Sequence, residues 1–234
     1  MNPLSGVFGE AWQLYKGHWT HFFSIAVVVF VVLAAVGILL SWLLEGWFAA
    51  LLGSFIGLVG TFWLQGALIK AVSDVRDGRA DLSVSETFSS VYPKLWTILI
   101  AGILLALGIT LGLFLLIVPG LILMTIWIAV IPAIVLEDRV IGESFGRSRE
   151  LVRGSGWHVF GVIVLTILIL IGVSIAVGIV LLPLADWLTS LIQQLVSVTI
   201  VTPFVATIWT LVYYRLKGRE DAAGVSTPEP QPAA

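Results

Sequence analysis

Six apolar runs dominate the chain, over about residues 22–44, 47–71, 95–117, 120–137, 157–182 and 187–214, and its polar residues gather in short stretches around them. A bilayer core of roughly 30 Å is crossed by about 20 helical residues. The runs therefore predict six transmembrane helices arranged as three hairpins. The fourth run is short and contains Pro132, which predicts a kink or close pressing against neighbours. Val118-Pro119-Gly120 reads as a tight turn between the third and fourth runs. The first run begins only after about twenty residues that include Glu10, Lys16, His18 and His21. It is too long for a signal-peptide core, so it is expected to be retained as an anchor.

The polar stretch before each hairpin has helical periodicity with an apolar stripe. The first stripe is Leu4, Val7, Phe8, Ala11, Trp12 and Tyr15, opposite Ser5, Glu10, Gln13 and Lys16. In the second, Ser83 and Glu86 form a capping box, Val84, Phe88 and Val91 make the stripe, and Pro93 ends it. The third sets Ile141, Phe145, Ser148 and Val152 against Glu143, Arg147, Glu150 and Arg153. Such amphipathic segments are expected in the headgroup plane. Together they suggest an internal repeat of amphipathic helix, Trp and hairpin, with Phe8 to Trp19, Phe88 to Trp96 and Phe145 to Trp157 as corresponding stretches.

Charge gives the topology a direction. All 12 Lys and Arg residues fall in the stretches that share one side of the predicted bundle: Lys16; Lys70, Arg76, Arg79 and Lys94; Arg139, Arg147, Arg149 and Arg153; Arg215, Lys217 and Arg219. The connections on the other side, around Glu45, Pro119-Gly120 and Asp186, carry two acids and no base. By the positive-inside rule the basic side is the cytoplasm, with both termini there, in a prokaryotic inner or plasma membrane. Trp19, Trp96 and Trp157 mark the basic interface and Trp42, Trp47 and Trp187 the other.

Composition agrees: 59% hydrophobic and 11% charged, with a mean hydropathy of +1.08, rules out a soluble domain. The net charge of −2 says little, because the asymmetry of charge across the membrane matters more than the sum, and no nucleic-acid partner is expected. Without cysteine there is no disulfide framework, thiolate nucleophile or thiolate metal site. The fold expected is an all-α integral membrane protein of six transmembrane helices, three hairpins each preceded by an interfacial amphipathic helix. Residues 1–219 form a single domain and 220–234, rich in Pro, Ala and Glu, a disordered tail.

The stretch Ile117-Val-Pro-Gly-Leu121, Pro132, Val135-Leu136-Glu137, Ser144-Phe-Gly-Arg-Ser-Arg-Glu-Leu151 and Gly154-Ser-Gly-Trp157 resembles a bacterial and archaeal membrane family. This is the membrane domain attached to some glycerophosphoryl diester phosphodiesterases, also found as stand-alone six-helix proteins. Thr202-Pro203-Phe204 and Leu211-Val-Tyr-Tyr-Arg215 are similar to that family's last helix. The sequence departs from the enzyme form in having no soluble phosphodiesterase domain, so the resemblance does not imply that activity here.

Candidate chemistry is sparse. No titratable group lies between the ends of the apolar runs, Lys70 being near enough to an end to snorkel. A proton relay is thereby disfavoured. No nucleophile, base or metal set can be assembled, so neither an enzyme nor a cofactor is expected. Asp74, Asp77 and Asp81 with Arg76 and Arg79 read as a solvated turn, and His18, His21 and His158 lack the acidic or thiol ligands that would make a metal site. Lys16, Arg147, Arg149 and Arg153 are candidates for a phospholipid headgroup, each worth about 1 kcal/mol near anionic lipid, against the plainer reading as topology markers paired with Glu137, Glu143 and Glu150. Two polar stripes fall on helix faces: Ser54, Gly57, Thr61 and Gln65 on the second run, and Asp186, Thr189, Ser190, Gln193 and Ser197 on the sixth. They read as interhelical glue or as a polar cavity opening outward, with Pro203 providing a bend. Gly53-x-x-x-Gly57 and Gly108-x-x-x-Gly112 would allow close helix contact, within the chain or between copies. The function expected is a non-catalytic membrane protein that binds phospholipid headgroups or organises a membrane-protein partner or homo-oligomer. The alternative is a transporter or lipid-translocating protein using a cavity between the second and sixth helices.

Overall fold

The computed structural model describes residues 4–44, 46–78 and 81–225. Its helices are α1 (Val7–Gly17), α2 (Trp19–Leu43), α3 (Trp47–Arg76), α4 (Val84–Val91), α5 (Leu95–Leu115), α6 (Ile117–Ile126), α7 (Val130–Glu137), α8 (Ile141–Val152), α9 (Gly156–Leu181), α10 (Asp186–Val196) and α11 (Thr202–Val225). A 3₁₀ turn, Tyr92–Lys94, joins α4 to α5, and a π-turn, Ser197–Val201, joins α10 to α11. Among the described residues there is no strand. Six helical stretches are long and apolar enough to cross a membrane: α2, α3, α4 with α5, α6 with α7, α9, and α10 with α11. The chain is thus a polytopic, multi-pass membrane protein.

The helices alternate in direction, so the described Lys and Arg residues collect at one end, the basic end. The core is concentrated there. On α2 the buried residues are Phe22, Ile25, Ala26 and Val29; on α3 burial starts at Gly60. Three apolar clusters fill this half: around Tyr213 and Val7, around Phe22 and Leu68, and around Ile98 and Ile134. Toward the far end the hairpins turn apolar side chains outward, among them Val32, Ile38 and Leu39 on α2 and Ile171, Ile175 and Ile179 on α9. Contiguous apolar exposure of this extent suits acyl chains. All six interfacial Trp residues face outward, each at least 52% exposed.

Each hairpin is preceded by a short helix, α1, α4 or α8. Their apolar stripes turn onto the bundle: Val7, Ala11 and Tyr15 of α1, Val91 of α4, and Val152 of α8 are buried, whereas Trp12 is 56% exposed. The capping box at Ser83 and Glu86 forms as the spacing predicts.

Three local readings are corrected. The turn between α5 and α6 is made by Leu116, at φ −159° and ψ 138°, while Pro119 and Gly120 lie within the first turn of α6. Proline is tolerated there because the first helical N–H groups have no partner to lose. The fourth run is two helices, broken at Trp127–Ala129. Ser148, a polar residue on the α8 stripe, staples the break: its hydroxyl donates to the Ile126 carbonyl at 2.7 Å and accepts from the Ala129 N–H at 3.1 Å. Buried backbone groups left unpaired would each cost roughly 1–3 kcal/mol. Finally, α11 continues to Val225, so residues 220–225 of the expected tail are helical; 226–234 lie outside the described residues.

Candidate functional site

At the basic end, α7, α8 and α11 meet around Glu137, whose side chain is 9% exposed. Its carboxylate accepts from Arg147 Nε at 2.9 Å and from the Tyr213 hydroxyl at 2.7 Å, with Lys217 Nζ and Arg139 Nε each at 3.5 Å. Arg147 also donates from Nη1 and Nη2 to Glu220, at 2.8 and 2.7 Å. Hydrogen bonds to Glu220 and Glu137 hold this guanidinium above the ordinary arginine pKa. One arginine thus ties the middle of α8 to the end of α7 and to the last turns of α11. Its donors face carboxylates, so a phosphate would have to displace one of them.

The same end carries further lashings. Lys94 donates to the Val135 carbonyl at 2.7 Å and pairs with Asp138. Arg215 bonds Glu10 and the Ser5 carbonyl, fixing α1 to α11. Arg219 bonds Ser155 and the Arg153 carbonyl, fixing the loop before α9. Ser73 and Tyr214 share a 2.7 Å hydrogen bond, and the Arg76 guanidinium lies 4.0 Å from the Tyr214 ring centre.

The other three headgroup candidates behave differently. Lys16, Arg149 and Arg153 are exposed, and none makes an ion pair among the described residues. A cleft of about 790 Å³ opens between α6 and the start of α9, and the neighbours of Arg153 on both sides, Val152 and Gly154, line it. Val118, Leu121, Ile122, Thr125 and Ile126 line it from one face of α6, the i, i+3, i+4, i+7, i+8 set. The other wall is Val152, Gly154 and the first turn of α9 through Phe160, with Trp157 and His158 at the basic end. Arg153 sits between two lining residues, and Arg149 is one helical turn before it. Lys16, on α1, does not line the cleft.

The polar stripes are divided. Ser54, Thr61, Gln193 and Ser197 are exposed, and Thr61 spends its hydroxyl on the Gly57 carbonyl at 2.8 Å. Gln65 alone of the predicted stripe residues lines a half-open cavity, of about 330 Å³, between α3, α7, α9 and α11. The second and sixth helices meet at this cavity, on the buried half of α3, whereas the stripes suggested a polar cavity opening outward. Its composition also differs: Trp209 and Thr202 share the wall with Gln65.

Among the described residues no group of three His, Asp or Glu is placed to hold a metal. Asp74 accepts the Leu82 N–H at 3.1 Å as a loop tie, and Asp77 lies 3.9 Å from Arg76; Arg79 is outside the described residues. His18 sits 3.4 Å from the Leu14 carbonyl, and His21 keeps a buried ring nitrogen without a partner.

Sequence reasoning paired Arg147 with Glu137 and placed Gln65 on a polar stripe, and the one pair forms while the other residue lines a cavity. It missed Tyr213, Glu220, Ser148 and Trp209. A signal existed for Ser148, as the polar member of an apolar stripe. No family model, no curated protein and no solved structure matches this chain.

Proposed function

We propose that the protein is a non-catalytic membrane module that binds an anionic phospholipid, with the acyl chain in the α6–α9 cleft and the phosphate at Arg153 and Arg149. The observation that carries this reading is an apolar cleft whose lining residues Val152 and Gly154 flank Arg153, an exposed arginine that makes no ion pair among the described residues. An acyl chain needs an apolar trough and a phosphate needs a cation at one end of it, and arginine offers a bidentate match. The basic end then faces the cytoplasm, where anionic lipid makes the surface potential negative. The likeness to the stand-alone six-helix membrane domain belongs to the same proposal.

Native mass spectrometry of protein released from its own membranes tests it. Wild type should carry a discrete phospholipid adduct, and Arg149→Glu with Arg153→Glu should lose it. Two charges at about 1 kcal/mol each correspond to roughly thirty-fold weaker binding. Ile122→Trp, which fills the trough and touches no charge, should also remove the adduct. Equal adducts in all three proteins would refute the assignment.

A second reading, passage of lipid or solute between α3 and α11, is favoured by the cavity at Gln65. It predicts that Gln65→Leu abolishes flux in proteoliposomes while the melting temperature is preserved. Unchanged flux in that variant would rule the route out.

A further inference from the structure

We propose that the half-open cavity between α3, α7, α9 and α11 is a binding site for an uncharged, apolar molecule bearing a carbonyl acceptor. The cavity shares no lining residue with the α6–α9 cleft. The proposal therefore rests neither on the headgroup reading nor on any passage across the membrane.

Three observations meet here. First, no charged residue lines the space, and most of its wall is aliphatic, including Ile69, Ile131, Leu170 and Val205. A charged ligand would be left without a counter-ion at low dielectric, so the occupant is neutral and largely apolar. Its size, about 330 Å³, lies at the small end of ligand pockets.

Second, two lining side chains have hydrogen-bonding groups that the protein leaves unused. Among the described residues no hydrogen bond reaches the Gln65 carboxamide or the Trp209 indole nitrogen. Both side chains are half-buried, and both carry N–H donors that a molecule in the cavity can engage. Thr202, on the same wall, already donates its hydroxyl to the Ser197 carbonyl at 2.9 Å. The unspent capacity is thus weighted toward donors, and the complementary ligand brings an acceptor. A carbonyl on an apolar body meets that requirement.

Third, two of the enclosing spans are irregular at this point. Pro132, a lining residue, has no N–H to give the carbonyl of Ile128, which also lines the cavity. On the other side, Val201 and Thr202 mark the end of the π-turn, immediately before Pro203. Irregular backbone at membrane depth is tolerated where it is buried in protein or lines a cavity, and π-turns gather at functional sites. Neither interruption is needed to build a hairpin, and both fall on the walls of one cavity.

Benzophenone tests the proposal, because it is itself a neutral aromatic ketone and bonds covalently to nearby C–H groups on irradiation. Full-length protein in nanodiscs is irradiated with it and the adducts are located by peptide mass spectrometry. Saturable labelling is expected on the segments 128–132 and 201–209. Acetophenone should compete, and ethylbenzene, of similar shape without the carbonyl, should not. Gln65→Leu should lower the occupancy about tenfold, the loss of one hydrogen bond of ordinary net strength. Should that variant fail to fold, Trp209→Phe keeps the ring and removes the donor. Arg149→Glu with Arg153→Glu should leave the labelling unchanged, which separates this site from the phospholipid cleft. Unsaturable or absent labelling of these segments, or equal competition by ethylbenzene, would overturn the proposal.

Discussion

Replacing Arg147 with alanine is expected to lower the thermal midpoint of the detergent-solubilised protein by about 6–12 °C. The side chains of Arg147 and Glu137 are 15% and 9% exposed, so their pairing is largely withdrawn from water. Removing one partner of a buried pair costs roughly 3–5 kcal/mol, because the remaining charge is stranded. Glu220 is better solvated, with its side chain 46% exposed, which favours the lower end of that range. At about 2–4 °C per kcal/mol for a chain of this size, about 3 kcal/mol gives the stated shift. Arg147→Lys should recover little, since an ammonium cannot bridge two carboxylates as a guanidinium fork does. Adding Glu137→Gln to Arg147→Ala should restore part of the loss, because the stranded charge is then gone. Arg149→Ala, on an exposed and unpaired side chain, should melt within about 0.5 kcal/mol of wild type. If Arg147→Ala melts like Arg149→Ala, the cluster contributes nothing and the three helices are held by packing alone.

This expectation also decides how the lipid question is asked. Charge reversal at Arg147 would set three carboxylates against each other at Glu137 and Glu220, so an adduct lost in that variant would report misfolding as readily as lipid release. Arg149 and Arg153 are free of that ambiguity, since their side chains are not tied to another helix. The same four cations that the sequence groups together therefore divide by role: Arg147 holds the helices, and Lys16, Arg149 and Arg153 remain available to the membrane surface.

What could be read in advance follows the range of the physics. The six spans were legible because burial in lipid imposes about 20 apolar residues on each, a signal carried by neighbours along the chain. The short helices were legible from a period of 3.6, but the direction of their stripes was not. An apolar face suits a membrane surface or a helical neighbour equally, and Val7 and Ala11 turn out to face α11 and its surroundings. Glu137 was legible as a partner for Arg147 at ten residues' distance, whereas Tyr213 and Glu220 come from a helix 76 and 73 residues away. The polar stripes misled for a related reason. Helical spacing places Ser54, Thr61 and Gln65 on one face, but α3 is buried only from Gly60 onward. The same face is thus exposed near one end and enclosed near the other. The broken fourth span was half legible: Pro132 announced an irregularity, and its position one turn upstream depends on Ser148, which only the folded chain brings to it.

The two GxxxG pairs lead to the second large effect, because the structure uses one and leaves the other open. A Cβ at Gly112 would stand 2.9 Å from the Gly120 Cα and 3.0 Å from its nitrogen, and a Cβ at Gly120 would stand 2.6 Å from the Leu113 nitrogen. These neighbours are backbone, which cannot swing aside as a side chain can, so the α5–α6 hairpin would have to part. A Cβ at Gly57 meets nothing within 4 Å, and one at Gly53 meets only Leu40 at 3.9 Å. Gly112→Leu is therefore expected to lose about 3 kcal/mol or more, at or above the upper end of ordinary overpacking, and to leave little monodisperse protein on size exclusion. Gly57→Leu should melt as wild type does. The comparison is informative in both directions, since small residues in a membrane helix serve contacts within a chain or between chains. A Gly57→Leu protein with an unchanged melt but a smaller particle size would place a second copy of the chain against α3. Two variants melting alike, both low or both unchanged, would contradict the α5–α6 contact as the reason for the glycines. The hairpin that forms one wall of the α6–α9 cleft depends on that contact, so Gly112→Leu also sets the limit below which no ligand experiment on α6 can be interpreted.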